Sequence, residues 1–461
     1  MTVSFLPSQL ATLSQTPLPY TSNPRQLLLS DLLLALSKAA FIPGIILPWR
    51  FGSDASPWDE LYPSLVNIKS IILHIILVVA QTAFLISLPF FIVFPAFWVV
   101  GYVALFLLFN AAVCKLLNGN QLTLEPSAKV MEKINSRGYP NNDHEYWIFM
   151  NGVAVGKDWL QSNIDRLSLT FGRKVHGVHN PTDGIIFDLI QCLVQRNFTY
   201  ATNDIREAYV SIKKALYEEN VTKVVFILHS QGGIEGAQII DWLLDEVPND
   251  NMRRLEVYTF GNAANHFNNP QRQSADKPNP LAKQTPVIPL PRTRKALKAI
   301  GHIEHYANHG DFVSEIGVLN YANGSTAVRN RFMGRLFASG QAGHLLNQHY
   351  LHQMFPLESE YGKCKNSNEF MDAVVVDRDG SDEGRDDIVD SVVGNGEVTF
   401  VGDVDSPISP QSFSPMGSVV LDKSETALLP KPVVKVKNLS RLWLYRNGGS
   451  PPDYIKRAAT T

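Results

Sequence analysis

The hydropathy pattern is dominated by the stretch from Ser70 to Cys114, which contains no Asp, Glu, Lys or Arg. One bilayer-crossing helix takes ~20 apolar residues, so a run this long predicts two. They fall over Ile68–Leu88 and Phe90–Cys114, broken where Pro89 removes a helical N–H donor. The join, ISLPFFIVFP, is itself apolar. The pair therefore reads as a hairpin that spans a membrane, or as one that dips into a bilayer or lipid monolayer and returns. Both ends leave on the same side. Upstream, Gln26–Ile42 is leucine-rich, with Asp31 and Lys38 its only charges and Asn23-Pro24 as a helix start. It reads either as a helix lying in the interface or as a soluble amphipathic helix.

From about Glu145 the pattern changes to strands alternating with helices. Tyr146–Gly152, Lys174–Asn180, Val224–Leu228 and Leu255–Phe260 are short apolar strands, whereas Ala201–Glu219 and Gly232–Leu244 have helical period. Such alternation predicts an α/β fold, a mostly parallel sheet with helices on both faces. After Pro356 the composition shifts to acids, Gly, Ser and Ser-Pro pairs, predicting disorder. Inside that tail KVKNLSRLWLYRNGG (435–449) is basic and aromatic, suited to docking back on the domain, to a membrane surface, or to a protein partner. The expected organisation is an N-terminal region 1–66 with an interfacial helix at 24–42, a membrane hairpin 67–117, a linker 118–144, the α/β domain 145–356, and the tail 357–461.

Charge refines this picture. Lys plus Arg total 41 against 43 Asp plus Glu, a net charge of -2, which gives no reason to expect nucleic acid as a partner. Lys69 precedes the apolar run, and Lys115, Lys129, Lys133 and Arg137 follow it, so the positive-inside bias puts the large domain in the cytosol. The endoplasmic reticulum or a lipid droplet would suit such an anchor. N-x-S/T matches at Asn197, Asn220, Asn323 and Asn438 would argue for the lumen, but arise readily by chance. Cys114, Cys192 and Cys364 are far apart and show neither metal nor disulfide spacing. The start, MTVSFLPSQLATLSQ, lacks the basic region of a secretory signal. No dinucleotide fingerprint, phosphate loop or metal site is visible, so no cofactor is expected.

The candidate chemistry sits in VVFILHSQGGIEG, Val224–Gly236. Ser230 stands where a buried strand turns sharply into a helix, the context that throws a nucleophilic serine clear of a sheet. Gly232 and Gly233 remove side chains from the turn, and the N–H of Gln231 at the helix start suits an oxyanion. LHSQGG resembles the nucleophile motif of the α/β-hydrolase superfamily, and the order of the downstream residues resembles that of its serine lipases, over roughly Glu145–Pro356. One departure is Leu228, where the superfamily usually has glycine. The resemblance implies the order Ser, Asp or Glu, His. Asp311, in a segment similar to the lipases' N-x-x-D-x-V (Asn308, Asp311, Val313), is then the acid; its plainer reading is a solvated turn former. Three histidines come next in Ser339–Phe355: His344 after Gly343, His349 before Tyr350-Leu351, and His352 deeper in a helix. His344 is the base expected, with His349 the alternative. A second oxyanion donor is expected from Gly152 or Val153 in the loop Met150–Asn163. His229 reads as structural. His179–Arg196 is a helix that lines or covers an acyl pocket, or simply packs on the sheet. Asn265–Arg294, rich in Pro, Asn and Gln, is an inserted loop. The expected function is a membrane-anchored serine hydrolase acting on lipid esters, with membrane lipids as partners; a transacylase would use the same residues. The alternative is a catalytically inactive hydrolase fold serving as a membrane scaffold or tether.

Overall fold

A computed structural model describes residues 1–6, 23–270, 298–322, 332–377 and 434–452. In chain order the main elements are β1 (Thr2–Leu6), α1 (Pro24–Ser37), α2 (Leu65–Ser87), α3 (Ala96–Asn118), β2 (Thr123–Leu124), α4 (Ala128–Asn135), β3 (Glu145–Met150), α5 (Lys157–Phe171), β4 (Val175–Val178), α6 (Ile185–Phe198), α7 (Asn203–Tyr217), β5 (Lys223–His229), α8 (Gly232–Glu246), α9 (Asn249–Met252), β6 (Leu255–Phe260), β7 (His302–Gly310), α10 (Phe312–Ile316), β8 (Arg335–Ala342) and β9 (Val374–Asp377). The strands form one sheet in the order β2-β4-β3-β5-β6-β7-β8-β1-β9. From β4 to β8 every pairing is parallel, β2 and β1 are added antiparallel, and β9 runs parallel to β1. The fold class is α/β.

Strand alternation divides the core in two. Trp147, Phe149, Val225 and Ile227 face a core closed by α5, the turn Leu346–Leu351 and Trp443; Ile148, Met150, Val224 and Phe226 face one closed by α7 and α8. β5 is buried along its whole length, as expected for a parallel strand covered on both faces.

The sheet is wider than the segment 145–356. β1 comes from the N-terminal region and β9 from beyond Pro356. The reading of 357–461 as a disordered tail is corrected where the chain is described. Phe370, Met371, Val436, Leu442, Trp443 and Tyr445 are buried in the core. Arg441 forms a buried ion pair with Glu256 (Nη2 to Oε1, 2.8 Å), whose other oxygen accepts from the Tyr445 hydroxyl at 2.7 Å. Burial opposes the charge of Glu256, but Arg441 and Lys223 outweigh it and hold the carboxyl at about 2. Of the readings offered for 435–449, docking back on the domain is the one these contacts match, whereas the polar composition of 357–377 gave no sign of its burial. Most of the acidic and Ser-Pro stretch, residues 271–297 of the inserted loop, and Asn323 lie outside the described residues.

Two helical stretches, Leu65–Val93 and Ala96–Asn118, are long and apolar enough to cross a membrane. The turn between them starts at Leu88 with Pro89 in its first positions, and α3 begins after Pro95. Both turn many apolar side chains outward, apart from a buried seam of Leu77, Val113, Cys114 and Leu117. Leu65, Val79, Ile86, Leu105 and Leu108 are exposed, whereas Asn67, Ser70, His74, Gln81 and Asn110 are buried against the domain.

Candidate active site

The turn after β5 holds Ser230 at φ +59, a left-handed conformation that a residue with a side chain adopts only when its surroundings enforce it. They do so through the backbone. The Ser230 N–H donates to Phe260 O at 3.1 Å, and its carbonyl accepts from Gly233 N–H at 2.9 Å and Ala263 N–H at 3.2 Å. The bulk of Leu228 is accommodated by Gly236, one turn into α8, where a Cβ would collide with the leucine methyls.

Ser230, His344 and Asp311 are brought together. Ser230 Oγ lies 2.8 Å from His344 Nε2, and His344 Nδ1 lies 2.9 Å from Asp311 Oδ2. With a carboxylate on one side, Nδ1 carries the proton and Nε2 accepts from the serine hydroxyl. Asp311 is fully buried and heavily bonded. Tyr350 and Ser314 hydroxyls donate to Oδ2 at 2.7 and 3.0 Å, and the Val313 N–H donates to Oδ1 at 2.8 Å. Burial alone would raise its pKa, but His344 and these donors hold it below the usual carboxylate range. Gly261 leaves the room this pair needs, since a Cβ there would sit 2.9 Å from both Asp311 Oδ2 and His344 Nδ1. Asn308 supports the histidine loop, donating from Nδ2 to Gly343 O at 3.1 Å.

The other histidines have different partners. His349 Nδ1 accepts from the Leu345 N–H at 2.9 Å and Nε2 donates to Pro48 O at 3.0 Å; burial pushes its pKa down to about 4. His352 meets Arg50. His229 stacks on His344 with ring centroids 4.7 Å apart, and its Nε2 donates to the His344 carbonyl at 2.8 Å. Burial first, then the neighbouring His344, lowers the His229 pKa to about 3, so the ring is neutral.

The expected oxyanion positions surround Ser230. Gln231 caps α8, and a Cβ on Gly152 would lie 2.8 Å from Ser230 Oγ. Among the described residues no acceptor takes the N–H of Gln231, Gly152 or Val153. The Gln231 side chain donates to Gln195 Oε1 at 2.7 Å, and Gln195 donates to Glu235 Oε1 at 3.2 Å. Burial, with Asp204 beside it, pushes the Glu235 carboxyl well up.

Supports that the sequence reading missed come from α6 and the hairpin. Asp188 accepts from the Ala154 N–H (2.9 Å), the Asp183 N–H (2.7 Å) and the Thr182 hydroxyl (2.6 Å), pinning the loop that carries Gly152 and Val153. Gln81 of α2 donates to Asp183 O at 2.6 Å and accepts from the Ile186 N–H at 3.2 Å, while Asn110 of α3 donates to Asp183 O at 3.1 Å. Asn118 brackets Thr182 with bonds of 2.8 and 3.0 Å. Polar residues seven apart in the apolar helix α6, Asp188 and Gln195, were the available signal, because they share one buried face.

No family model matches the chain, and no curated protein matches it. Among solved structures, Trichoderma reesei cutinase in complex with a C11Y4 phosphonate inhibitor is similar at 16% identity over 40% of this chain and 74% of that chain, with a TM-score of 0.20. So loose a superposition carries no weight beside the geometry of the chain itself.

Proposed function

We propose that this chain is a membrane-anchored serine hydrolase cleaving carboxylic esters of lipids. The observation that supports it most is the run of short bonds from Ser230 Oγ through His344 to Asp311, on a serine with positive φ. In this reading Ser230 Oγ attacks the ester carbonyl carbon as His344 Nε2 takes its proton. Asp311 holds the ring's tautomer and stabilises the imidazolium. The N–H groups of Gln231 and of Gly152 or Val153 receive the oxyanion. Collapse expels the alcohol, which leaves with the proton from His344, and an acyl-enzyme remains. Water, deprotonated by the same imidazole, releases the acid; an alcohol in its place would give transacylation. His349 is not the base in this scheme, because both its nitrogens are engaged elsewhere.

The lipid substrate class is supported by the apolar hairpin, which would hold the site where lipids are concentrated. The basic residues flanking the hairpin favour a cytosolic domain, on the endoplasmic reticulum or a lipid droplet.

The test is labelling of the full chain in detergent by a fluorophosphonate, which captures an activated serine. Wild type should label and Ser230→Ala should not, and ester turnover by that variant should fall by on the order of 10⁶. Folded wild-type protein that takes no label would favour the inactive scaffold instead.

A further inference from the structure

Helix α1 is built the wrong way round for water. Its only buried residue is Asp31, while Leu29, Leu33 and Leu36 are 58%, 59% and 72% exposed. Asp31 is held inside by Arg196 Nη2 at 2.7 Å, Asn197 Nδ2 at 2.7 Å and the Tyr321 hydroxyl at 3.0 Å. Two of those partners, Arg196 and Asn197, belong to α6, which repeats the arrangement. Its buried residues are Asp188, Gln195, Arg196 and Asn197, and its exposed ones include Ile190, Val194 and Phe198. A helix that turns its polar groups inward and its apolar side chains outward is solvated by hydrocarbon, not by water.

The position of these helices says which hydrocarbon. α6 packs against α1 on one side and α2 on the other, so the exposed apolar side chains of α1 and α6 continue the outward face of the hairpin. Arg25 stands at the exposed N-terminal end of α1, as a headgroup-level cation would, while Lys38 at the other end pairs with Glu315 at 2.6 Å. We infer that α1 and α6 form a second lipid-contacting face, lying in the boundary between headgroups and acyl chains, so that the domain rests on the bilayer instead of hanging from its hairpin. This inference rests on the reading of the hairpin as a membrane segment, and not on the hydrolase chemistry. It adds one consequence to that chemistry. The inner face of α6 bonds to the Ala154 loop and to Gln231, so this helix stands between its outward apolar side chains and the surroundings of Ser230.

The test places a nitroxide at single cysteines in the full-length chain, in a Cys192→Ser background, reconstituted into phosphatidylcholine vesicles. The sites are Leu33→Cys on α1, Val194→Cys on α6, Val79→Cys on the exposed face of α2, and Val210→Cys on the exposed face of α7. Signal from the background protein is subtracted, and circular dichroism confirms that each variant is folded; Ile190→Cys replaces Val194→Cys if that one is not. Relaxation is measured with oxygen, which concentrates in lipid, and with a water-soluble nickel chelate. The expected result is that labels at 33 and 194 favour oxygen severalfold over the chelate, as at 79, while 210 shows the reverse. Labels at 33 and 194 that match 210, or that neither reagent reaches because a second copy of the chain covers them, overturn the inference and leave the anchor intact. A label at 79 that favours the chelate overturns the anchor reading, and this one with it.

Discussion

Two peripheral regions of this molecule are attached in opposite ways. Residues 434–452 dock by burying apolar and aromatic groups, Leu442, Trp443 and Tyr445, around one internal ion pair, Arg441 with Glu256. The hairpin and α1 bond to the domain through polar groups, Gln81, Asn110 and Asp31, and leave many of their leucines, isoleucines and valines facing out, although Leu77, Val113 and Leu117 are buried. The difference teaches that apolar-inside is a rule about the surrounding solvent. Where water surrounds the chain, burial of carbon does the work. Where lipid does, carbon gains little by going inside, and hydrogen bonds decide which face turns inward.

The comparison breaks most readily at Arg441. Arg441→Met strands the Glu256 carboxylate in the core and should cost roughly 3–5 kcal/mol of stability, read as a shifted denaturation midpoint in detergent. Adding Glu256→Leu should return most of it. Acidity separates the two regions next. Glu256 is held at about 2 against an ordinary 4.5, so its contribution is fully present above that ordinary value and disappears as the pH falls toward 2. Asp188, beside the hairpin, behaves oppositely. Burial lifts it to about 6 from 3.8, so folding gains stability as the pH falls from 6 to 3.8. Each effect amounts to at most roughly 1.4 kcal/mol per pH unit. Thermal unfolding across this range should show both slopes, with Glu256→Gln flattening the first and Asp188→Asn the second. Gln81→Leu removes bonds to Asp183 and Ile186 without removing volume from the hairpin. It should cost about 1–3 kcal/mol through the backbone groups left unpaired. It should also lower the turnover of a short water-soluble ester, with KM little changed, since the loop bearing Gly152 hangs on Asp188 in the same segment. The smallest effect is expected at Leu33→Ser, under about 0.5 kcal/mol in detergent denaturation. A loss of several kcal/mol there would show that this leucine is internal after all, and would erase the contrast.

Much of this was legible in local pattern. The charge-free run marks the hairpin, and strand-then-glycine marks the turn at Ser230, because each needs only neighbours in sequence. The sequence favoured His344 over His349 without separating them fully. Both come shortly after Gly343, and only the ring partners, Ser230 and Asp311 for one, Leu345 and Pro48 for the other, separate them. Tyr350 and Ser314 were missed because their role is to donate to Asp311 across the fold. The pairing of β1 with β8 and β9 escaped for a similar reason: two short strands far apart in sequence carry no mutual signal until they meet. Leu228 looks like a mismatch in the strand pattern alone, and its compensation at Gly236 becomes visible only when α8 is packed against β5.

That pairing sets a timetable for synthesis. Ser4, whose hydroxyl meets the carbonyl of Ala338, is made 334 residues earlier, and β9 is made later still. The hairpin leaves the ribosome in between. The nascent chain thus waits with one end of its sheet open, a bare edge on which a neighbouring polypeptide can add a strand. Translation that stops short of Val374 would leave that edge uncovered, so prematurely terminated products should aggregate and draw chaperones, whereas a chain that continues through Asp377 covers β1 with β9.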